Sequence, residues 1–271
     1  MEMPKKLFWD TEKMTKVLVI GLDAACWEMI RPNLDKLPNF KKILGGKNVK
    51  SSTIYLKEKP HSASVWCSMF SGLNPEEHKH SNFHKNGKIL EREDIDAKFI
   101  WDILGNKLNI VALQVPFVYP PYNFNCEFTP INYGLITDKD LIKKNLDLKL
   151  RKSIEILRKN PDIFIVVFTA LDQISHFYWD SDEMIKWYIE ADKILERLVG
   201  YGEEVIIVSD HGFCKWDESK VHTLPRKTRD GREIKGDHSC EAIVITKNIT
   251  YNFKKPQDVF NYIRQKFENG K

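Results

Sequence analysis

Long apolar runs are missing from this sequence. No stretch reaches the roughly 18 consecutive apolar residues of a membrane-spanning helix, so we expect no membrane span. Residues 1–16 are mixed and charged, and they lack the apolar segment of a signal peptide. We therefore expect a cytoplasmic protein.

Cysteine is scarce, and its spacing excludes the usual cysteine-based scaffolds. No two of the five cysteines stand as a Cys-x-x-Cys pair; they are Cys26, Cys67, Cys126, Cys214 and Cys240. An odd number of scattered cysteines indicates neither a disulfide framework nor a zinc ribbon. This pattern is typical of a reducing compartment such as the cytoplasm.

A strong excess of charge is also missing. The sequence holds 42 Lys and Arg residues against 38 Asp and Glu residues, a net charge of +4. A nucleic-acid-binding protein usually carries a denser basic stripe, so we expect no nucleic-acid partner. Internal repeats and low-complexity segments are absent from the sequence as well.

The length of 271 residues allows one large α/β domain, and 42% hydrophobic residues can bury a substantial core. We expect a single domain over residues 1–271. The basic, glycine-containing stretch at about 214–237 is expected to leave the sheet as a surface excursion or small cap.

Short apolar runs alternate with segments of helical spacing. The runs predict strands at 17–20, 110–115, 163–168, 205–208 and 242–245. The spacing predicts helices at 34–44, 66–72, 100–104, 141–157, 184–199 and 259–267, and crowded prolines predict a loop over 116–130. Continuous apolar strands that alternate with helices indicate an α/β fold, with a mostly parallel sheet covered by helices on both faces.

Carboxylates and imidazoles recur where the predicted strands end. The candidates are Asp23, Asp172, His176, Asp210, His211 and His238. Ligands bind beyond the carboxyl ends of strands in such sheets, and oxygen and nitrogen donors of this kind suit zinc or manganese. Any single one of them could instead cap a helix, but their joint occurrence favours a metal site.

A hydrolytic metal site also needs a nucleophile. Residues 60–72 contain the candidates, since a hydroxyl at the start of a helix lies beside backbone N–H groups that can bind phosphate oxygens. Ser62, Ser64 and Ser68 all satisfy this condition, and each could equally be a helix cap.

Taken in chain order, these motifs resemble the type I phosphodiesterase and nucleotide pyrophosphatase family of the alkaline phosphatase superfamily. The resemblance covers residues 17–245, including a proline-rich loop at 115–121. It rests on GLD at 21–23, a Ser before WxSxFxG at 66–72, NPxxH at 74–78, DxxxH at 172–176, DHG at 210–212 and GxH at 236–238.

The resemblance implies an alkaline phosphatase-like fold and two divalent metal ions, zinc or alternatively manganese. In this family the nucleophile lies ten residues before the Gly of the Ser-Gly pair, which is Ser62 here. The implied ligands of the first metal are Asp23, Ser62, Asp210 and His211. Those of the second metal are Asp172, His176 and His238.

The resemblance further implies a phosphohydrolase in which Ser62 becomes phosphorylated. Its substrate would be a small phosphate ester or a nucleotide-like molecule, cleaved at a phosphodiester or pyrophosphate bond. The alternatives are a phosphomonoesterase, a phosphonate hydrolase, or a relative that binds metal without catalysis.

The chain departs from the family pattern at three positions. Family members usually have Thr as nucleophile where this chain has Ser62, and commonly Pro where it has Ser64. Nucleotide-cleaving members place a phosphate-binding Asn at the position of Phe83, and Asn82 stands one residue away. Nearby, His78, His80 and His84 are interpreted as exposed loop histidines.

Overall fold

A mixed seven-stranded sheet lies at the centre of residues 14–268, the part of the chain that this computed structural model describes. The described part excludes residues 1–13 and 269–271. The predictions of a single domain over residues 1–271 and of an N-terminus without a signal peptide therefore extend beyond it. The strands, in chain order, are β1 (Thr15–Leu22), β2 (Val49–Tyr55), β3 (His84–Lys85), β4 (Lys88–Ile89), β5 (Ile110–Val115), β6 (Tyr122–Phe124), β7 (Ile163–Phe168), β8 (Gly202–Val208), β9 (Gly212–Lys215), β10 (Gly236–Ser239) and β11 (Glu241–Lys247).

The main sheet has the order β2-β11-β8-β1-β7-β5-β6. Its central strands β8, β1, β7 and β5 are parallel, whereas β11, β2 and β6 pair antiparallel with their neighbours. Parallel strands covered on both faces need apolar residues on both sides, which explains why every residue of β7 is buried. The predicted α/β fold with a largely parallel sheet is therefore confirmed.

Helices cover both faces of this sheet. In chain order they are α1 (Trp27–Ile30), α2 (Pro38–Leu44), α3 (Ser62–Ser71), α4 (Pro75–His78), α5 (Ile100–Leu104), α6 (Lys139–Leu157), α7 (Ala170–Tyr178), α8 (Asp182–Leu198) and α9 (Asp258–Glu268). Side chains along β1 point alternately to the two faces of the sheet. Leu18 therefore packs in the core formed with α2, α6, α7 and α8, whereas Val19 packs in the core formed with α3, α5 and α9.

Several element bounds differ from the sequence prediction. The helix predicted from residue 34 begins at Pro38, which occupies its first turn without needing an N–H partner, and the one predicted from residue 66 begins at Ser62. The predicted loop 116–130 contains β6. β2 was not predicted, because it lies at the sheet edge and most of its side chains are exposed and polar.

The chain leaves the main sheet after β8. β9 and β10 pair antiparallel as a separate ribbon, and residues 216–235 connect them with a short 3-10 helix at Trp216–Glu218. Among the described helices, none has the length and apolar character needed to cross a membrane.

Candidate metal centre

Three carboxylates meet because they follow three neighbouring strands. Asp23 directly follows β1, Asp210 follows β8 by two residues, and Asp172 lies in the first turn of α7, just beyond β7. β1 pairs in parallel register with both β7 and β8, so the three strands end at one edge of the sheet. The structure thus brings together the three acidic residues selected from the sequence.

The three histidines reach this edge by different routes. His211 comes directly after Asp210, whereas His176 lies one helical turn after Asp172, with its Nε2 atom 3.3 Å from Asp172 Oδ1. His238 lies within β10 instead of after a strand of the main sheet, so its expected position at a strand end is wrong. The β9–β10 ribbon nevertheless places His238 Nε2 3.1 Å from Asp172 Oδ1 and 3.2 Å from His176 Nε2.

Each of these histidines is oriented by a backbone carbonyl. The Nδ1–H of His176 donates to Gly236 O at 3.2 Å, and that of His211 donates to Gly212 O at 2.9 Å. The Nδ1–H of His238 donates to Pro60 O at 2.5 Å. A carbonyl oxygen only accepts, so in the neutral ring Nε2 keeps its lone pair and faces the centre. Metal-bound histidines are usually held in this way.

The donor atoms form three overlapping groups, within each of which the ligand atoms lie within 4.8 Å of one another. The groups are Asp23, Asp210 and His211; Asp172, His211 and His238; and His176, Asp237 and His238. Asp23 Oδ1 and Asp210 Oδ2 are buried and have no hydrogen-bond partner within residues 14–268. Buried carboxylate oxygens of this kind are costly unless a cation binds them, so the residues fit a pair of divalent metal ions.

The electrostatics of the centre point the same way. Burial raises the pKa of Asp23 well above its usual value, with the charges of Asp210 and Asp172 adding to the effect. Burial also raises the pKa of Asp210, to about 7. Burial would raise the pKa of Asp172 too, but His176 and His238 outweigh it and hold that pKa well below its usual value. Carboxylates crowded in this manner need a compensating positive charge to stay ionised.

Ser62 is the hydroxyl that faces the centre. It is the first residue of α3, and its Oγ lies 3.2 Å from His211 Nε2. It also lines the cavity that opens onto the centre, which neither Ser64 nor Ser68 does. Ser68 instead forms a 2.9 Å hydrogen bond between its Oγ and His78 Nε2. Of the three candidate serines, only Ser62 therefore lies both at the centre and on the cavity wall.

Trp66 has a role that the sequence did not reveal. It donates its Nε1–H to Asp23 Oδ2 at 3.2 Å. Gly21 makes room for its ring, since a Cβ at that position would lie 2.7 Å from Trp66 Cη2. The Gly of the GLD motif and the Trp of WxSxFxG are thus coupled in space, and a lone tryptophan gives no such signal in the sequence.

Asp237 was also missed, although it precedes His238 in the GDHS motif. Asp237 Oδ2 accepts a hydrogen bond from Thr223 N, and Asp237 Oδ1 accepts one from His238 N, both at 2.8 Å. The Thr223 hydroxyl also donates to Oδ1. Its oxygens are therefore occupied by the connection between β9 and β10. We interpret Asp237 as the residue that fixes His238 on its ribbon.

The interpretation of His78 and His80 as exposed loop histidines is wrong. Their side chains are buried, at 3% and 2% exposure, and only His84 is exposed. The His78 Nδ1 atom accepts a 3.0 Å hydrogen bond from His80 N. Burial lowers the pKa of His78 to about 4, so this ring is an uncharged part of the core beside α3.

A cavity of about 580 Å³ leads from the candidate centre to the surface. Ser62, Asp172 and His238 line it beside the candidate centre. Tyr119 and Tyr133 also line it, with their ring centroids 4.8 Å apart. The cavity is large enough for a small phosphate ester together with its alcohol group.

Comparisons with known proteins agree with this geometry. The sequence profile of the family described as type I phosphodiesterase / nucleotide pyrophosphatase matches residues 17–266. No match was found among curated proteins. Similar solved structures include murine ectonucleotide pyrophosphatase / phosphodiesterase 5, an inactive form in complex with AMP. The likeness covers 93% of this chain and 94% of that chain at 14% identity, with a TM-score of 0.62.

Two further structures share the fold. A TAB5 alkaline phosphatase mutant with bound Mg matches with 13% identity, 93% coverage of this chain, 97% coverage of that chain and a TM-score of 0.59. Phosphonoacetate hydrolase from Sinorhizobium meliloti 1021, in complex with phosphonoformate, matches with 14% identity and a TM-score of 0.54. That match covers 82% of this chain, which spans only 59% of that hydrolase. At these identities the structural likenesses establish an alkaline phosphatase-like fold.

Proposed function

The chain belongs to the type I phosphodiesterase / nucleotide pyrophosphatase family of hydrolases, and from this premise we propose that it cleaves phosphodiester or pyrophosphate bonds through a covalent phosphoserine on Ser62. The observation that carries the proposal is the position of the Ser62 hydroxyl. It lies at the start of α3, 3.2 Å from His211 Nε2, and it faces a centre of three Asp and three His residues.

We propose that Asp23, Asp210 and His211 hold one divalent metal ion with Ser62, and that Asp172, His176 and His238 hold a second. The mixed oxygen and nitrogen donors favour zinc, with manganese as the alternative. When bound, the metals lower the pKa of the serine hydroxyl and neutralise charge that develops on the phosphoryl oxygens.

The chain's own residues then divide the reaction into two displacements. Ser62 Oγ forms a bond to phosphorus while the ester or pyrophosphate P–O bond breaks, and the leaving oxygen departs with the electron pair and takes up a proton. Water next attacks phosphorus from the opposite side of the phosphoserine. The Ser62 Oγ–P bond breaks, Ser62 regains its proton, and phosphate or a phosphomonoester is released.

The start of α3 contributes to phosphate binding. The first backbone N–H groups of a helix have no intrahelical partner and carry partial positive charge, so they bind phosphoryl oxygens next to Ser62. Phe83, which replaces the phosphate-binding Asn of nucleotide-cleaving members, lines the cavity and packs its ring 5.4 Å from that of His61. A phenylalanine ring cannot donate a hydrogen bond to a phosphoryl oxygen, so this replacement favours a simple ester over a nucleotide as the substrate.

The proposal is tested by comparing hydrolysis of bis-p-nitrophenyl phosphate and p-nitrophenyl phosphate. Chelated protein is assayed alone and after zinc or manganese is added back, with bound metal measured in parallel. We expect metal-dependent turnover that is faster for the diester. A faster monoester reaction would indicate a phosphomonoesterase, and the absence of metal binding would contradict the proposal.

A further inference from the structure

Lys149 occupies an unusual position in the long helix α6. The inward face of this helix consists mainly of apolar side chains, among them Ile142, Leu146 and Ile156, and Lys149 lies in the middle of that face. The residue is only 6% exposed. Lysine is almost never buried to this extent without a partner, because removing an ammonium group from water is costly.

The partners of the Lys149 amine are few. Nζ donates one hydrogen bond, of 2.7 Å, to Val167 O near the end of β7. It also lies 5.7 Å from the centroid of the Phe168 ring. Within residues 14–268, no carboxylate comes within 4.0 Å of it. Burial lowers the pKa of Lys149 to about 7, and the charge of Asp23 opposes this shift. An ammonium group has three donors, and the described residues accept from only one of them.

Lys149 lines the same cavity as the catalytic candidates. Its side chain contributes to the wall of the 580 Å³ cavity that Ser62 and Asp172 also line. A molecule in that cavity can therefore contact both Lys149 and the proposed nucleophile.

The charges of the site leave Lys149 without a counterion. Two divalent cations would be balanced by the carboxylates of Asp23, Asp172 and Asp210 together with an ionised Ser62 hydroxyl. The three histidines would bind as neutral rings. None of these ionised groups then carries excess negative charge for the amine of Lys149, so the amine can pair with an anion that enters the cavity.

We propose that Lys149 is a specificity residue that binds a second anionic group of the substrate, a carboxylate or phosphate separate from the phosphoryl group under attack. This inference rests on the proposed function, because it assigns the substrate class of the same cavity. The favoured substrate is thus a phosphate or phosphonate compound with an additional negative charge in its leaving portion.

A purely structural role for Lys149 leads to different expectations. If the amine only balanced the charge of Asp23, its loss would weaken metal binding and would affect all ligands alike. A specificity residue instead affects only ligands that carry the second anionic group. The two roles are therefore separated by a pair of ligands that differ only in this charge.

The experiment measures binding of phosphonopropionate and its uncharged amide, phosphonopropionamide, by titration calorimetry on metal-loaded protein. Wild type is compared with Lys149→Met, which keeps the apolar stem, and with Lys149→Gln, whose amide can still donate to Val167 O. Lys144→Met, on the exposed side of the same helix, is the matched control. Bound metal and turnover of bis-p-nitrophenyl phosphate are measured for each protein.

We expect wild type and Lys144→Met to bind the carboxylate roughly 10-fold or more tightly than the amide, as is typical of a charge-assisted hydrogen bond. In both Lys149 variants this preference disappears, whereas amide binding and metal content stay within about twofold. Three results would overturn the inference: no preference in wild type, a preference that survives in the variants, or an equal loss for both ligands with loss of metal. Absence of diester turnover in wild type contradicts the proposed function instead, and is thus distinguishable.

Discussion

The Oγ atom of Ser62 lies 3.2 Å from Nε2 of His211. This is the nitrogen that stays unprotonated when His211 is neutral, because its Nδ1–H group donates to Gly212 O. Burial lowers the pKa of His211 well below its usual value, which keeps the ring neutral. The hydroxyl and the ring nitrogen thus face the same point, where both can bind one metal ion.

Removal of the Ser62 hydroxyl should abolish turnover. We expect Ser62→Ala to lower the rate of diester hydrolysis by roughly 10³-fold or more, since the nucleophile is lost. Metal content should stay near normal, because the Asp and His ligands remain. Both are measured on the same protein by a p-nitrophenol assay and by elemental analysis.

Ser64→Ala is the matched control for this change, because Ser64 is a buried serine in the same turn of α3 that does not line the cavity. Its activity should remain within a few-fold of wild type. Ser62→Thr, the residue usual in the family, should retain activity. Turnover that survives in Ser62→Ala but is lost in Ser64→Ala would assign the nucleophile to Ser64.

Asp210→Asn should lower metal occupancy and activity together. The Asp210 Oδ2 atom is buried without a hydrogen-bond partner among the described residues, as expected of the metal ligand that we propose it to be. An amide binds divalent metals more weakly than a carboxylate does, so we expect the dissociation constant for zinc to rise roughly 10- to 100-fold. Competition with a chromophoric chelator measures this constant.

Asp192 offers a control for the burial of a carboxylate. It is 2% exposed, yet its oxygens accept hydrogen bonds from Asn39 N at 3.0 Å and Phe40 N at 2.8 Å, at the start of α2. Asp192→Asn should reduce the free energy of unfolding by about 1 kcal/mol and leave zinc affinity unchanged. Equal effects of the two substitutions on zinc affinity would contradict the assignment of Asp210.

The sequence predicts the centre of the fold better than its edges. β7 is a continuous apolar run, and both its bounds and those of β5 agree with the prediction. β2 escaped prediction because an edge strand buries little and carries polar residues such as Ser51 and Ser52. Burial on both faces thus leaves a clear pattern in the sequence, whereas pairing along one edge does not.

The candidate site shows the same division. Asp23, Asp172 and Asp210 could be selected because each follows an apolar strand, and parallel strands end at one edge. Contacts between distant segments could not be predicted, such as Trp66 with Asp23 and Thr223 with Asp237. Lys149 was not recognised because its neighbours in the helix read as an ordinary amphipathic stripe.

The crowded carboxylates should make metal-free protein sensitive to pH. Burial raises the pKa of Asp210 from 3.8 to about 7, so the folded state holds a proton that the unfolded state releases. The stabilisation from this proton is fully present below the unfolded pKa and is lost as the pH rises through the folded pKa. Between about pH 5 and pH 8, Asp210 therefore makes the metal-free fold progressively less stable.

Comparison with Asp210→Asn measures this effect together with the influence that the charge of Asp210 has on Asp23. For each chelated protein, the free energy of unfolding is measured between about pH 5 and pH 8. The wild-type value minus the Asp210→Asn value should be lower at pH 8 than at pH 5, by an amount on the order of a few kcal/mol. Urea titrations at several pH values measure the difference. A difference that does not change with pH would show that Asp210 titrates normally in the folded protein.

Trp66 should act on the metal centre through Asp23. Its Nε1–H donates to Asp23 Oδ2 at 3.2 Å, which leaves Oδ1 free to bind a metal ion. Trp66→Phe retains an aromatic ring against Phe70 and removes the donor, so Asp23 loses its fixed orientation. Because such partners of a ligand typically contribute 10- to 100-fold, we expect zinc affinity to fall by roughly 10-fold or more.

Trp101 provides the matched substitution, because it lies in the same aromatic cluster, with its ring centroid 5.8 Å from that of Phe70. Its buried Nε1 has no hydrogen-bond partner among residues 14–268. Trp101→Phe removes an indole N–H that bonds to nothing, so its cost comes only from lost packing. Zinc titrations of both variants, with unfolding measured in parallel, separate the two contributions. Loss of zinc affinity in Trp66→Phe alone would assign it to the bond with Asp23, whereas equal loss in both would mean that the aromatic cluster supports the centre only by packing.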